Sequence, residues 1–225
     1  MGILSGLDQF GLGNLENADL YETHKKEDSK GSAEHKEPEE VDFLFDKSYT
    51  CPVCDTDFKT KTVKVGKAKL LGIDSDLRPK YDKVDSLKYD IILCSHCGYA
   101  ALARYFKVLT TPQAKLIKEN ISKGFKALPE HAVYSYDDAI ERYKLALANA
   151  IVKRGKASEK AYICLKMAWL VRGKQEELDV TDSTYDEQVH QCQEDELELL
   201  KSALEGFLAA RQTESFPMCG MDETT

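Results

Sequence analysis

The chain has 225 residues, with 31 Lys and Arg against 39 Asp and Glu for a formal net charge of −8, 13 Gly, 6 Pro, 7 Cys and 42% hydrophobic side chains. Such a composition excludes collagen-like, mucin-like and wholly disordered chains, and the length allows one large or two small domains that each bury well over half of their unfolded surface. The cysteines are odd in number and four fall in two C-x-x-C pairs, which favours a metal site in a reducing compartment over a secreted disulfide framework.

Residues 1–42 hold four Lys against eleven acidic groups. Ile3, Leu4, Leu7, Phe10, Leu12 and Leu15 form a short, Gly-interrupted apolar cluster, read as a frayed tail or a tethered peptide able to dock. Thr23 to Glu40 has hardly an apolar side chain and reads as an acidic flexible linker. No basic segment precedes the first apolar residues, Asp8 interrupts them, and Gly6 stands where a myristoylation motif needs Ser or Thr. The longest nearly apolar run, Leu145 to Val152, is far below the roughly 18 to 20 residues that span a bilayer. A soluble cytoplasmic protein without membrane contact is expected.

Residues 43–106 are expected to form a small β-rich, zinc-ribbon-like metal-binding module. Cys51-Pro52-Val53-Cys54 and Cys94-Ser95-His96-Cys97 are separated by 39 residues. Each C-x-x-C turn places two thiolates on one side of a metal, and two turns complete a tetrahedron. Gly98 can take the positive φ that such a turn favours after its second cysteine; Asp55 is the counterpart after Cys54. Phe58 to Val65 alternates and is rich in β-branched residues, Gly66 offers a turn, and Lys67 to Ile73 can return, so a hairpin is predicted there. Asp74 to Pro79 punctuates the chain, and Tyr89 to Leu93 reads as a strand delivering Cys94. His96 is read as facing solvent. Four thiolates leave no open position for water, so the site reads as structural: Cys51, Cys54, Cys94 and Cys97 around zinc, with iron satisfying the same tetrahedral geometry. A thioredoxin-like pair would need a helix starting at the motif, and strand follows Cys54 instead.

Residues 107–225 change to helical periodicity and are expected to form an all-α antiparallel array. Thr111-Pro112 reads as a cap, with Ile117, Ile121, Phe125 and Leu128 on one face and Pro129 beyond. A second helix from about Asp137 turns Ile140, Tyr143, Leu147 and Ile151 inward and closes near Gly155. A third, from about Ser158, carries Ala161, Cys164, Leu165, Ala168 and Trp169, with Cys164 as a buried small hydrophobe. After a loop from Gly173 to Ser183, Thr184 and Glu187 spell a capping box ahead of a long helix bearing Val189, Cys192, Leu200, Leu204, Phe207 and Leu208. The spacing Ala139, Tyr143, Ala146 followed by Ala161, Cys164, Leu165, Ala168 matches consecutive tetratricopeptide helices, although the usual Trp, Gly and Pro of that repeat are absent. The whole chain is thus expected to be α+β.

The runs Lys47 to Cys54, Asp74 to Tyr81, Tyr89 to Ala101 and Phe216-Pro217-Met218-Cys219-Gly220-Met221-Asp222-Glu223 together resemble the bacterial family of domain of unknown function 2225, over about Phe43 to the C-terminus. The resemblance implies a zinc-ribbon-like head and a tetratricopeptide-like helical body in a bacterial cytoplasmic protein, and no known activity. Its members continue into a further helical repeat, so a helical array incomplete at its C-terminus is expected. Cys219, without a nearby Cys or His in sequence, reads as a packing or turn residue.

No nucleophile elbow, phosphate-binding Gly-rich loop or H-E-x-x-H occurs. The leading expectation is a non-enzymatic scaffold that binds protein partners through its helices. The alternatives are a nucleic-acid-binding ribbon using Lys59, Lys61, Lys64, Lys67 and Lys69, and a thiol-redox enzyme.

Overall fold

The computed structural model describes residues 37–219. The apolar N-terminal cluster, most of the acidic linker and Gly220 to Glu223 lie outside the described residues. The chain divides between Glu37 and Pro38 into two units, and every element named below belongs to the second.

Three antiparallel hairpins come first. β1 (Leu44–Thr50) pairs with β2 (Asp57–Val63) in register from Leu44 opposite Val63 to Thr50 opposite Asp57. β3 (Lys69–Ile73) pairs with β4 (Pro79–Asp82), with a register shift between Leu70 and Gly72. β5 (Ile91–Leu93) pairs with β6 (Ala100–Leu102). The first and third hairpins are closed by the two C-x-x-C turns.

The predicted pairing of residues 58–65 with 67–73 does not form. Gly66 has the expected positive φ of 73°, but β2 commits its ladder to β1. That choice sets Tyr49 opposite Phe58, their ring centroids 6.1 Å apart, and buries Phe58, whereas all five residues of β3 are exposed. β3 turns instead through Asp74 to Arg78, where Leu77 adopts φ 68°.

β5 and β6 are short, yet both of their faces are buried. Because side chains alternate along a strand, Ile91, Leu93, Ala100 and Leu102 face the helices, while Ile92 and Ala101 face the apolar cluster around the cysteines. This hairpin therefore divides two cores and carries Cys94 at the end of β5.

The helices that complete the first core are α1 (Thr111–Ile117), α2 (Tyr136–Val152), α3 (Ala157–Glu176) and α4 (Tyr185–Thr213). α1 is capped one residue earlier than predicted, by Thr110, whose N–H donates to Gln113 Oε1 at 3.0 Å. It passes into a π-helical turn, Lys118–Ser122, and the chain then leaves helix through a turn at Lys123 and Gly124. Phe125 and Leu128 still pack against the core, but from irregular chain.

α2 starts behind Ser135, whose hydroxyl accepts from the Asp138 N–H at 3.1 Å. Its buried face is Ala139, Ile140, Tyr143, Ala146 and Ala150, and Ile151 is exposed. The predicted stripe was rotated because α2 is covered on two sides, by the β5–β6 hairpin and by α3, and its alanines let both approach closely. α3 is buried on more than its predicted stripe: Ile163, Met167 and Leu170 join Ala161, Cys164, Ala168 and Trp169. It continues through Gly173, where a Cβ would lie 2.5 Å from the Tyr136 ring; the glycine admits that ring instead of ending the helix.

α4 folds back antiparallel on α3. Its predicted capping box is absent, since the Thr184 hydroxyl bonds Asp182 at 2.8 Å in the preceding turn. The helices meet at small residues: Ala203 and Ala210 are buried, and a Cβ on Gly206 would sit 2.8 Å from Ala161. Leu204 and Leu208, predicted inward, are exposed.

Ionic contacts fasten the β3–β4 hairpin to the helices. Arg78 makes a two-pronged pair with Glu176 at 2.9 and 2.8 Å, and Arg172 reaches Asp74, Asp76 and Glu196. Burial pushes the Asp76 carboxyl up, but hydrogen bonding and charge from Arg172 outweigh it and hold it below the ordinary range; the same balance with Arg78 lowers Glu176. A depressed folded pKa contributes stability above the unfolded value of about 4 and loses it as pH falls through the folded one. We expect Arg172→Met to destabilise by on the order of 1 kcal/mol at neutral pH, to accelerate amide exchange over residues 69–82, and to lose that difference from wild type progressively as the pH falls below about 4. An equal difference at pH 7 and pH 3 would rule the pairing out as its source.

Candidate metal centre

The two C-x-x-C turns repeat one backbone design. The Cys51 N–H donates to the Thr56 carbonyl and the Asp55 N–H to the Cys51 carbonyl; the Cys94 N–H donates to the Tyr99 carbonyl and the Gly98 N–H to the Cys94 carbonyl. The residue after each second cysteine has positive φ, 56° at Asp55 and 74° at Gly98. Asp55 tolerates that conformation with its side chain in solvent. Gly98 is forced, because a Cβ would lie 2.5 Å from the Phe125 ring.

These turns bring the four sulfurs within 4.8 Å of one another. Cys51 Sγ lies 3.6 Å from Cys97 Sγ, and Cys54 Sγ lies 3.7 Å from Cys94 Sγ. A tetrahedron with metal–sulfur bonds of about 2.3 Å has edges of about 3.8 Å, so the spacing fits a thiolate-bound cation. Without a cation the thiols compete for charge. Hydrogen bonding with Cys94 pushes the Cys51 thiol up, hydrogen bonding from Cys51 holds Cys94 down, and Cys97 is pushed up by its contact with Cys51. A metal ion would let all four ionise together.

An apolar shell of Val53, Phe58, Ile92, Tyr99, Phe106 and Ile117 encloses the cluster. Tyr99 donates to the Phe106 carbonyl at 3.0 Å, and Asn149 of α2 donates to the Gly98 carbonyl at 2.9 Å. Asn149 is fully buried and ties the second turn to the helical body. Sequence reasoning missed it, although an amide on an otherwise apolar helix face was the available signal.

His96 is exposed and outside the cluster. Cys164 and Cys192 are buried in helices, where desolvation raises both thiols. Cys219 is buried apart from the four clustered thiols; its carbonyl accepts from Arg104 and its thiol meets Tyr105. Lys59 and Lys61 lie on β2, Lys64 and Lys67 between strands, and Lys69 on β3. They do not share one hairpin. Lys61 pairs with Asp46 at 2.7 Å and Lys64 donates to the Asp42 carbonyl at 2.8 Å, which leaves Lys59, Lys67 and Lys69 exposed along separate strands and the turn.

Four convergent cysteines set by paired turns in an α+β unit define a protein able to hold a metal ion. The chain belongs to the family of domain of unknown function 2225 (DUF2225), described as uncharacterized proteins conserved in bacteria, whose profile matches residues 44–225. No curated protein and no solved structure matches it. Among the described residues, no helix is long and apolar enough to cross a membrane.

Proposed function

We propose that the chain is a zinc-dependent scaffold whose helical face binds a partner protein, and that it is not an enzyme. The metal's role is architectural, because four thiolates fill a tetrahedron and leave no position for substrate or water. Zinc suits four thiolates in a reducing cytoplasm, where it holds the ribbon-like head without redox chemistry.

The observation that carries the partner reading is a groove of about 480 Å³ between α2 and α4, above α3. Ile140, Leu147, Met167 and Leu199 supply apolar floor, and Lys144, Lys174, Asp195 and Glu198 supply a charged rim. An amphipathic helix laid into such a groove buries its apolar stripe and pairs its flanks with the rim. A photo-crosslinking side chain at Gln191, on the groove, should capture a discrete protein in bacterial lysate, and Leu147→Glu should abolish that capture. Equal capture from Lys59, on the strands, would sink the reading. Elemental analysis should give one zinc per chain.

A further inference from the structure

We propose that α4 pairs antiparallel with α4 of a second copy of this chain, along the face carrying Leu197, Leu204 and Leu208. These leucines are 53%, 60% and 54% exposed, although α4 is a 29-residue helix whose opposite side is sealed onto α3 through Cys192, Ala203 and Ala210. Their spacing continues as a seam of alternating three- and four-residue steps: Glu194, Leu197, Lys201, Leu204, Leu208, Arg211. Such spacing is the geometry of a two-helix coiled coil.

The order of charges along the seam selects the orientation. When Leu197 meets the partner's Leu208, and Lys201 meets the partner's Leu204, the same register sets Glu194 against the partner's Arg211. Two-fold symmetry repeats each contact at the other end. A parallel pairing would set Glu194, Lys201 and Arg211 each on its own copy, three like-charge layers that the antiparallel register removes. Half-buried Leu200 and Phe207 flank the seam, while Glu205 sits one turn beyond Lys201 on each helix, so each central lysine is matched by an acid. From Glu194 to Arg211 the seam is about 27 Å long. One helix pair of that length lies near the low end of stable interfaces, so the dimer should dissociate on dilution. Gln191, Asp195 and Ser202, which line the groove, lie on another side of α4, and the pairing stands or falls independently of the proposed partner site.

Sedimentation of the metal-loaded full chain should show a dimer that gives way to monomer on dilution into the low micromolar range. Leu204→Glu with Leu208→Glu should be monomeric throughout with unchanged circular dichroism and melting, since both side chains are exposed. Arg211→Glu should weaken the dimer several-fold, and Glu194→Arg added to it should restore wild-type dissociation. A wild-type monomer at every concentration, a dimer that survives the double leucine substitution, or a charge swap that fails to restore association would each overturn the proposal.

Discussion

Stripping the metal, or replacing Cys94 with Ser, is expected to melt the strand-rich part of the chain while leaving much of the helical signal. The reason lies in how little else holds that part together. β5 and β6 are three residues each, and the inner shell of Val53, Phe58, Ile92, Tyr99, Phe106 and Ile117 closes around the four sulfurs. Structural zinc contributes about 10 to 16 kcal/mol in small peptides, comparable to the whole stability of an ordinary domain at about 5 to 15 kcal/mol. Its loss cannot be absorbed by so small a cluster. The helices have their own core of Ala139, Tyr143, Ile163, Met167 and Leu170, and α3 and α4 should persist, loosened where Asn149 no longer finds the Gly98 carbonyl. Amide exchange should therefore rise most over residues 44–63 and 91–106, and the melting temperature should fall by well over ten degrees. Lowering the pH should release the metal, because protons compete for the thiolates. Cys219→Ser should leave metal content and melting unchanged. An unaltered melt after complete metal removal would refute an architectural role.

The cysteine spacing made the four-cysteine cluster legible, because a C-x-x-C turn carries its own geometry: the positive φ at Gly98 and the strand feeding Cys94 both follow from local chain chemistry. Strand pairing was less legible. Gly66 advertised a turn and takes the turn conformation, but the register of β2 is decided by the first cysteine turn and by burial of Phe58 against Tyr49 and Phe106, contacts distant from Gly66 in sequence. The helices show a second kind of limit. A stripe identifies the inward face only when one side is covered, and α2 and α3 are covered on several, so small residues such as Ala139, Ala146 and Ala168 mark the tightest contacts. Gly173 read as a breaker because the ring of Tyr136, which needs the space, comes from another helix. On α4 the leucine stripe was legible, but the small residues Ala203, Gly206 and Ala210 took the place against α3 and left the leucines outside.

Among the described glycines, Gly98→Ala is expected to be the most damaging single-methyl addition, and its cost should divide into two separable parts. The first is conformational. At φ 74° an alanine occupies the left-handed region at about 1 to 2 kcal/mol, whatever surrounds it. The second is steric. The new Cβ would lie 2.5 Å from two ring atoms of Phe125 and 3.0 Å from its Cβ, and forcing carbon into a filled space costs about 1 to 3 kcal/mol. Phe125 sits in irregular chain beyond α1, so part of the strain can be relieved by moving that segment outward, at the expense of its packing on the core. The total of about 2 to 5 kcal/mol should appear as reduced stability together with weaker metal retention, since Gly98 directly follows Cys97 of the cluster and its N–H closes the turn on the Cys94 carbonyl. Phe125→Ala alone should destabilise through lost burial. In the double variant the steric part should vanish, so the two effects should fall short of additivity by at least 1 kcal/mol. Chemical denaturation of the four proteins, with metal affinity measured by competition, tests this directly. Strict additivity would mean that the ring is not the obstacle. A Gly98→Ala protein as stable as wild type would mean that the second turn does not need the left-handed backbone on which its hydrogen bonds depend.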